Sequence, residues 1–330
     1  MKKRLFSIVI SIIILFTSIN SIECINANAS DFVQITSYYT YEEMIDDIAN
    51  ICQTYPQYVS NEIIGYSVCG RAIPMVILGN PSAPHKVLIQ SNIHASEYQC
   101  APVAMKMIEY YATNYSTGNL LGVYSKTCYY IVPMVNPDGV AISQFGASSV
   151  SNEMLQFFVT TQGDARMRKW KANADGVDLN RNWNAGWELT PYNSTALPSY
   201  ASYKGIAPET EPEIKALKNI TVSQNFDCYI NFHQQGNVIY CGSNMANPYV
   251  NALSQQLASV VKSVNGYKII GPSSGTATSF ATYADYICGI LGKPSCTLEF
   301  GNRIPTVKSA DSTAIFNRNI NLLKAVSDYL

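Results

Sequence analysis

The chain has 330 residues, 47% of them hydrophobic and 14% charged, with a formal net charge of −1. That balance excludes a disordered chain, a coiled coil and a basic nucleic-acid binder. Nine cysteines are scattered without a C-x-x-C, so neither a zinc ribbon nor a thioredoxin-type site is present.

Lys2, Lys3 and Arg4 precede an apolar run from Leu5 to Phe16, and Ala27-Asn28-Ala29 is a small-x-small site ahead of Ser30. This is the layout of a cleaved secretory leader over residues 1–29. The run falls short of the ~20 apolar residues that span hydrocarbon, so no stable membrane insertion is expected after cleavage. A lipoprotein reading through Cys24 fails because Glu23 stands where a small residue is needed. Residues 30–330 then read as one secreted domain. Cys128, Cys228 and Cys296 sit in apolar strand-like runs and read as small core residues. Export leaves one or two disulfides open among the cysteines beyond the leader.

Residues 41–55 carry Met44, Ile45, Ile48 and Ile51 at helical spacing. Strands are predicted over 62–68 and 72–78, around the turn Cys69-Gly70-Arg71, and then over 86–91. A helix follows over 97–115, with Ala101, Ala104, Met105 and Ile108 on one face. The strand predicted over 127–135 ends at Asn136-Pro137-Asp138-Gly139, strong turn chemistry. Residues 141–205, rich in Asn, Ser, Gly and aromatics, read mostly as loops and mark a functional surface. Helices over 209–223, 248–264, 279–289 and 312–329 then alternate with strands over 227–233, 238–241 and 295–300. The alternation predicts a three-layer α/β/α fold around a central mixed, mostly parallel twisted sheet.

Only three histidines occur: His85, His94 and His233. His94 and Glu97 stand where a strand hands over to a helix, and His233 ends the strand over 227–233. Glu299 closes a third apolar strand just before Gly301. Open α/β sheets build their sites at such carboxyl ends. Two imidazoles and a carboxylate make a zinc site with a position left open for water, and a further carboxylate within reach can act as general base. A lone histidine is usually a satisfied loop or core residue, but two of three at strand ends beside glutamates lower that reading. Glu299 in the apolar strand 296–300 is costly unless paired or used.

These residues resemble the zinc metallocarboxypeptidases of the carboxypeptidase A and T type, including bacterial relatives that cleave cell-wall peptides. The likeness runs from about Ile35 to Leu330 through Gly65-Tyr66-Ser67, His94-Ala95-Ser96-Glu97, Val135-Asn136-Pro137-Asp138-Gly139 and Trp170-Lys171-Ala172-Asn173. It continues through Gly176-Val177-Asp178-Leu179-Asn180-Arg181-Asn182-Trp183, Glu211-Pro212-Glu213, Asn231-Phe232-His233 and Thr297-Leu298-Glu299-Phe300-Gly301. The resemblance implies one Zn²⁺ per chain, held by His94, Glu97 and His233, with Glu299 as general base. It implies that Asn180 and Arg181 clamp the free carboxylate of a peptide, a task the guanidinium fork suits.

Departures from the family pattern fall at specific positions. The arginine expected after Trp170 to stabilise the oxyanion is Lys171, with Arg168 as the other nearby cation. Ser96 replaces the arginine that carboxypeptidase A has between its first two ligands, and Gly271 and Pro272 stand where a mobile tyrosine is expected. Residues 275–286 should line the side-chain pocket, with Thr278 near its floor and no acid of a basic-specific enzyme. The expected activity is hydrolysis of the C-terminal peptide bond. The alternatives are a cell-wall γ-D-glutamyl–diamino acid peptidase on the same fold and a non-catalytic peptide-binding relative. The expected partner is a peptide or cell-wall peptide, not nucleic acid.

Overall fold

Apolar runs pair into one eight-stranded sheet in the computed structural model of the protein. It describes residues 31–330 except 36–37, 118–119, 121, 191–195, 273–279 and 303–308. The strands are β1 (Val59–Tyr66), β2 (Ala72–Leu78), β3 (His85–Ser91), β4 (Thr127–Val132), β5 (Cys228–His233), β6 (Val238–Cys241), β7 (Lys268–Ile270) and β8 (Ser295–Glu299). Their order is β1-β2-β4-β3-β5-β8-β6-β7. The pairs β3–β4, β3–β5, β5–β8 and β6–β7 are parallel, whereas β1–β2, β2–β4 and β6–β8 are antiparallel. Every residue of β4 and β5 is buried, as expected of strands covered on both faces.

Helices supply the two outer layers. They are α1 (Tyr41–Thr54), α2 (Cys100–Asn114), α3 (Val123–Lys126), α4 (Pro137–Phe145), α5 (Glu153–Gln162), α6 (Pro212–Ser223), α7 (Pro248–Asn265), α8 (Tyr283–Asp285), α9 (Ser309–Asn319) and α10 (Leu322–Tyr329). On one face Met44, Ile48, Ile108, Leu257 and Val326 pack with Val87, Ile89, Ile230 and Leu298 of the sheet. On the other, Ile214, Leu217 and Ile220 of α6 pack with Leu88, Tyr130 and Tyr229, and Trp183 and Tyr283 join them. Burying each such aliphatic side chain contributes about 1.5–3 kcal/mol.

Several expected elements shift, for identifiable reasons. The helix predicted from Glu97 begins at Cys100, because the Asn92 side chain takes the Ala101 N–H (2.6 Å) and donates to the Glu97 carbonyl (3.1 Å). Part of the stretch read as loops is helical. Asn136 caps α4 by accepting from the Gly139 N–H, and Asn152 caps α5 by accepting from the Met154 and Leu155 N–H groups. The helix predicted over 312–329 is two helices, α9 and α10, separated by Ile320 and Asn321. β7 escaped the sequence reading because three residues carry too little period. The eight cysteines of the domain are free thiols, with Cys128, Cys228 and Cys296 buried in strands. No helix among the described residues is long and apolar enough to cross a membrane.

Candidate active site

Strands β3, β5 and β8 are adjacent and parallel, so their carboxyl ends meet at one edge of the sheet. The chain leaving β3 carries His94 and Glu97, β5 ends at His233, and β8 ends at Glu299. His94 Nδ1 lies 2.8 Å from Glu97 Oε1, and His233 Nδ1 lies 3.0 Å from Glu97 Oε2. One ligand atom from each of the three falls within 4.8 Å of the others, and all three residues are buried. Two nitrogens and a carboxylate in this arrangement fit zinc. Asp178 Oδ1 stands 3.2 Å from His94 Nε2, which holds the ring and leaves Nδ1 for the metal.

The electrostatics agree with a site built for a cation. Burial works against the charged form of His94, but Glu97 and Asp178 outweigh it and lift the imidazole to about 9. A metal bound at Nδ1 would have to displace the proton that these carboxylates favour there. Burial likewise opposes the Asp178 carboxylate, yet His94, Arg181 and Lys171 hold it well below the ordinary range. Burial pushes the Glu299 carboxyl up to about 8, and Glu97 adds to that; His94 and Lys171 pull the other way.

A cleft of about 600 Å³ opens over this cluster. Lys171, Asn180, Arg181 and Glu299 all line it. Arg181 Nη1 donates to the Asn180 carbonyl (2.7 Å), and no carboxylate within ion-pair distance engages its guanidinium among the described residues. Asn180 Oδ1 accepts from the Tyr283 N–H (2.9 Å), tying this clamp to the pocket wall at α8. Lys171 is 36% exposed, and its Nζ lies 3.9 Å from Glu97 Oε1. Its main chain is pinned by a bond from its N–H to the Tyr200 carbonyl (2.8 Å) and one from the Ala95 N–H to its own carbonyl (3.3 Å).

Two expected positions fare differently. Arg168 is exposed on the turn before Trp170 and does not line the cleft, so the residue after Trp170, not this one, faces the centre. Thr278 lies outside the described residues. Asp285, within the segment 275–286, lines the cleft. Both its oxygens are engaged, Oδ1 by the Ser243 hydroxyl (2.6 Å) and Oδ2 by the Thr282 hydroxyl (2.7 Å) and N–H (3.2 Å).

The sequence reading gave no role to three residues that position the centre. Asp178 braces His94 from inside the quoted Gly176–Trp183 motif. The Gln234 N–H donates to Glu97 Oε2 (3.2 Å), while its side-chain oxygen accepts from the Gln99 N–H (2.8 Å). Asn136 Nδ2 donates to the Ala172 carbonyl (2.9 Å) and the Ile93 carbonyl (3.3 Å), joining the segments that carry Lys171 and His94. Gly139 beside it is obligatory, because a Cβ there would lie 2.3 Å from the Ala172 carbonyl oxygen. A polar residue within an ordered motif was the available signal for Asp178 and Asn136; for Gln234 it was the place directly after His233.

Comparison with known proteins gives the family. A model of the zinc carboxypeptidase family of peptidases matches residues 44–293. A γ-D-glutamyl-L-diamino acid endopeptidase from Lysinibacillus sphaericus is 32% identical over 87% of this chain and 72% of its own. Carboxypeptidase B from Astacus astacus is 25% identical over 60% of this chain and 61% of its own. The solved structure of thrombin activatable fibrinolysis inhibitor superposes with a TM-score of 0.70 at 18% identity, over 91% of this chain and 76% of that one, a likeness of fold. With the family model covering most of the domain that carries His94, Glu97 and His233, the chain belongs to the zinc carboxypeptidase family of peptidases.

Proposed function

We propose that the protein hydrolyses the amide bond one residue upstream of a free carboxylate. The observation that carries this reading is Arg181, a guanidinium without a carboxylate partner among the described residues, in the same cleft as the His94–Glu97–His233 cluster and Glu299. Zinc at those ligands would supply Lewis acidity toward the scissile carbonyl and acidify a water. Arg181 and the Asn180 side-chain amide bind the carboxylate and set which bond is presented. Glu299 takes the proton of the attacking water at its carboxylate and returns it to the leaving amine. Lys171 sets positive charge beside the carbonyl oxygen. The residues before Ser30 act as an export leader, so the enzyme works outside the cytoplasm.

A second reading concerns the bond itself. The endopeptidase relative favours a γ-D-glutamyl–diamino acid bond of cell-wall peptides, in which Arg181 clamps the diamino acid's carboxylate. Incubating the purified protein with C-terminal dipeptides and with muropeptides, and mapping the products by mass spectrometry, separates the two. Cleavage confined to internal bonds of linear α-peptides would overturn both.

A further inference from the structure

Among the described residues, two side-chain cations, Lys171 and Arg181, line the cleft, and of these the amide hydrolysis described above uses only Arg181 to bind the substrate carboxylate. Among the described residues Lys171 makes one ion pair, 3.9 Å to Glu97, and the charge of Glu97 is claimed by the metal it would hold. Its backbone is fixed on both sides, so the ammonium swings on a pinned base and can follow a substrate group. Arg166, Arg168 and Lys169 on the preceding turn do not line the cleft, so Lys171 is the cation this segment presents to it.

An ordinary α-peptide offers nothing anionic next to its scissile carbonyl on the acyl side unless that residue is aspartate or glutamate. A γ-glutamyl amide does: its free α-carboxylate stands four bonds from the carbonyl carbon. We propose that Lys171 is a specificity residue that pairs with this α-carboxylate, so that two cations, Lys171 and Arg181, read two carboxylates flanking one amide bond. The inference rests on the γ-D-glutamyl reading above. An ammonium with three donors can hold the carboxylate and still lie beside the carbonyl oxygen, which a planar guanidinium fork engaged by one carboxylate does less readily. The carboxylate contact exists before and during reaction, so it acts on binding, whereas charge offered to the oxyanion acts on kcat.

The test uses a matched pair of peptides, N-acetyl-γ-D-glutamyl-L-lysine and N-acetyl-4-aminobutyryl-L-lysine, which differ only in the α-carboxylate. Their Kd is measured by calorimetry on the zinc-loaded Glu299→Gln protein, with and without Lys171→Met. A charge-assisted contact predicts that the glutamyl peptide binds roughly tenfold tighter or better, that Lys171→Met brings the ratio close to one, and that Lys171→Arg keeps part of it. Zinc content and Tm of each variant show that the fold is intact. An unchanged ratio in Lys171→Met, or equal binding of the two peptides before it, overturns the proposal. Product mapping with the unmodified enzyme reports on the underlying reading: failure to cut any γ-glutamyl amide while cutting α-peptides removes that reading, and this proposal with it.

Discussion

Glu299 lies directly across the parallel β5–β8 register from His233. The Phe300 N–H, one residue on, donates to the His233 carbonyl (2.7 Å). Two adjacent strands ending at the same level thus set a candidate base beside a candidate ligand, with no loop between them to blur their separation. Rigid strands hold such pairs more accurately than loops do.

This pairing sets Glu299 beside the candidate ligand His233 in the role of base. Glu299→Gln should keep its zinc and lose several orders of magnitude in kcat, because an amide cannot take the proton of the attacking water. Zinc analysis alongside kcat checks it. A variant that keeps more than about a tenth of the parent rate would leave Glu299 a structural carboxylate.

His233→Ala should lower zinc occupancy sharply, and His85→Ala should leave it unchanged. His85 sits at the start of β3 against Asp227 (3.5 Å), away from the cluster. Metal analysis after dialysis against a weak chelator gives the answer, and equal losses in both would overturn the ligand set.

Asp178→Asn should weaken zinc affinity about 10–100-fold, the usual effect of losing a carboxylate that braces a ligand histidine. With saturating zinc, kcat should largely recover. Competition with a chromophoric chelator measures the affinity, and unchanged affinity would show that the Asp178–His94 contact does not orient the ligand.

Asp47 on α1 supplies a pH-dependent term in stability. Burial lifts its carboxyl to about 6, the Tyr39 hydroxyl pulls it down through a 2.6 Å bond, and Glu109 and Glu43 push it up again. The folded protein therefore holds this proton more tightly than the unfolded chain, whose carboxyl titrates near 3.8. Stability from this group is full below that value and is lost as pH rises through about 6. Asp47→Asn should match the parent Tm near pH 4 and exceed it at pH 7. Thermal melts at both values check the sign, and a variant less stable at pH 7 would reverse it.

Much of this architecture is legible in the sequence because it rests on strong signals. Apolar runs over 86–91, 227–233 and 295–300 have little choice but to be strands, and His94, His233 and Glu299 are conspicuous at or just beyond their ends. What escapes depends on tertiary contact. α5 was hidden because its helix starts from an Asn152 side chain that reads equally well as loop chemistry. The break between α9 and α10 follows no proline or glycine. Asn319 instead joins Asn265 of α7 through its side-chain oxygen (3.0 Å) and its own Ile315 carbonyl through Nδ2 (2.9 Å). Lys171 ranks above Arg168 in the sequence because it directly follows Trp170, and it is Lys171 that lines the cleft.

The claim that Arg181 measures the distance from a free carboxylate to the scissile bond is tested most directly by amidating that carboxylate. A good substrate and its amide are compared for kcat/KM in the parent and in Arg181→Ala. Losing one partner of a desolvated bidentate pair costs roughly 2–5 kcal/mol, so the amide should be cut about two or more orders of magnitude more slowly by the parent. Arg181→Ala should cut acid and amide at similar low rates. Equal rates for acid and amide in the parent would contradict the account.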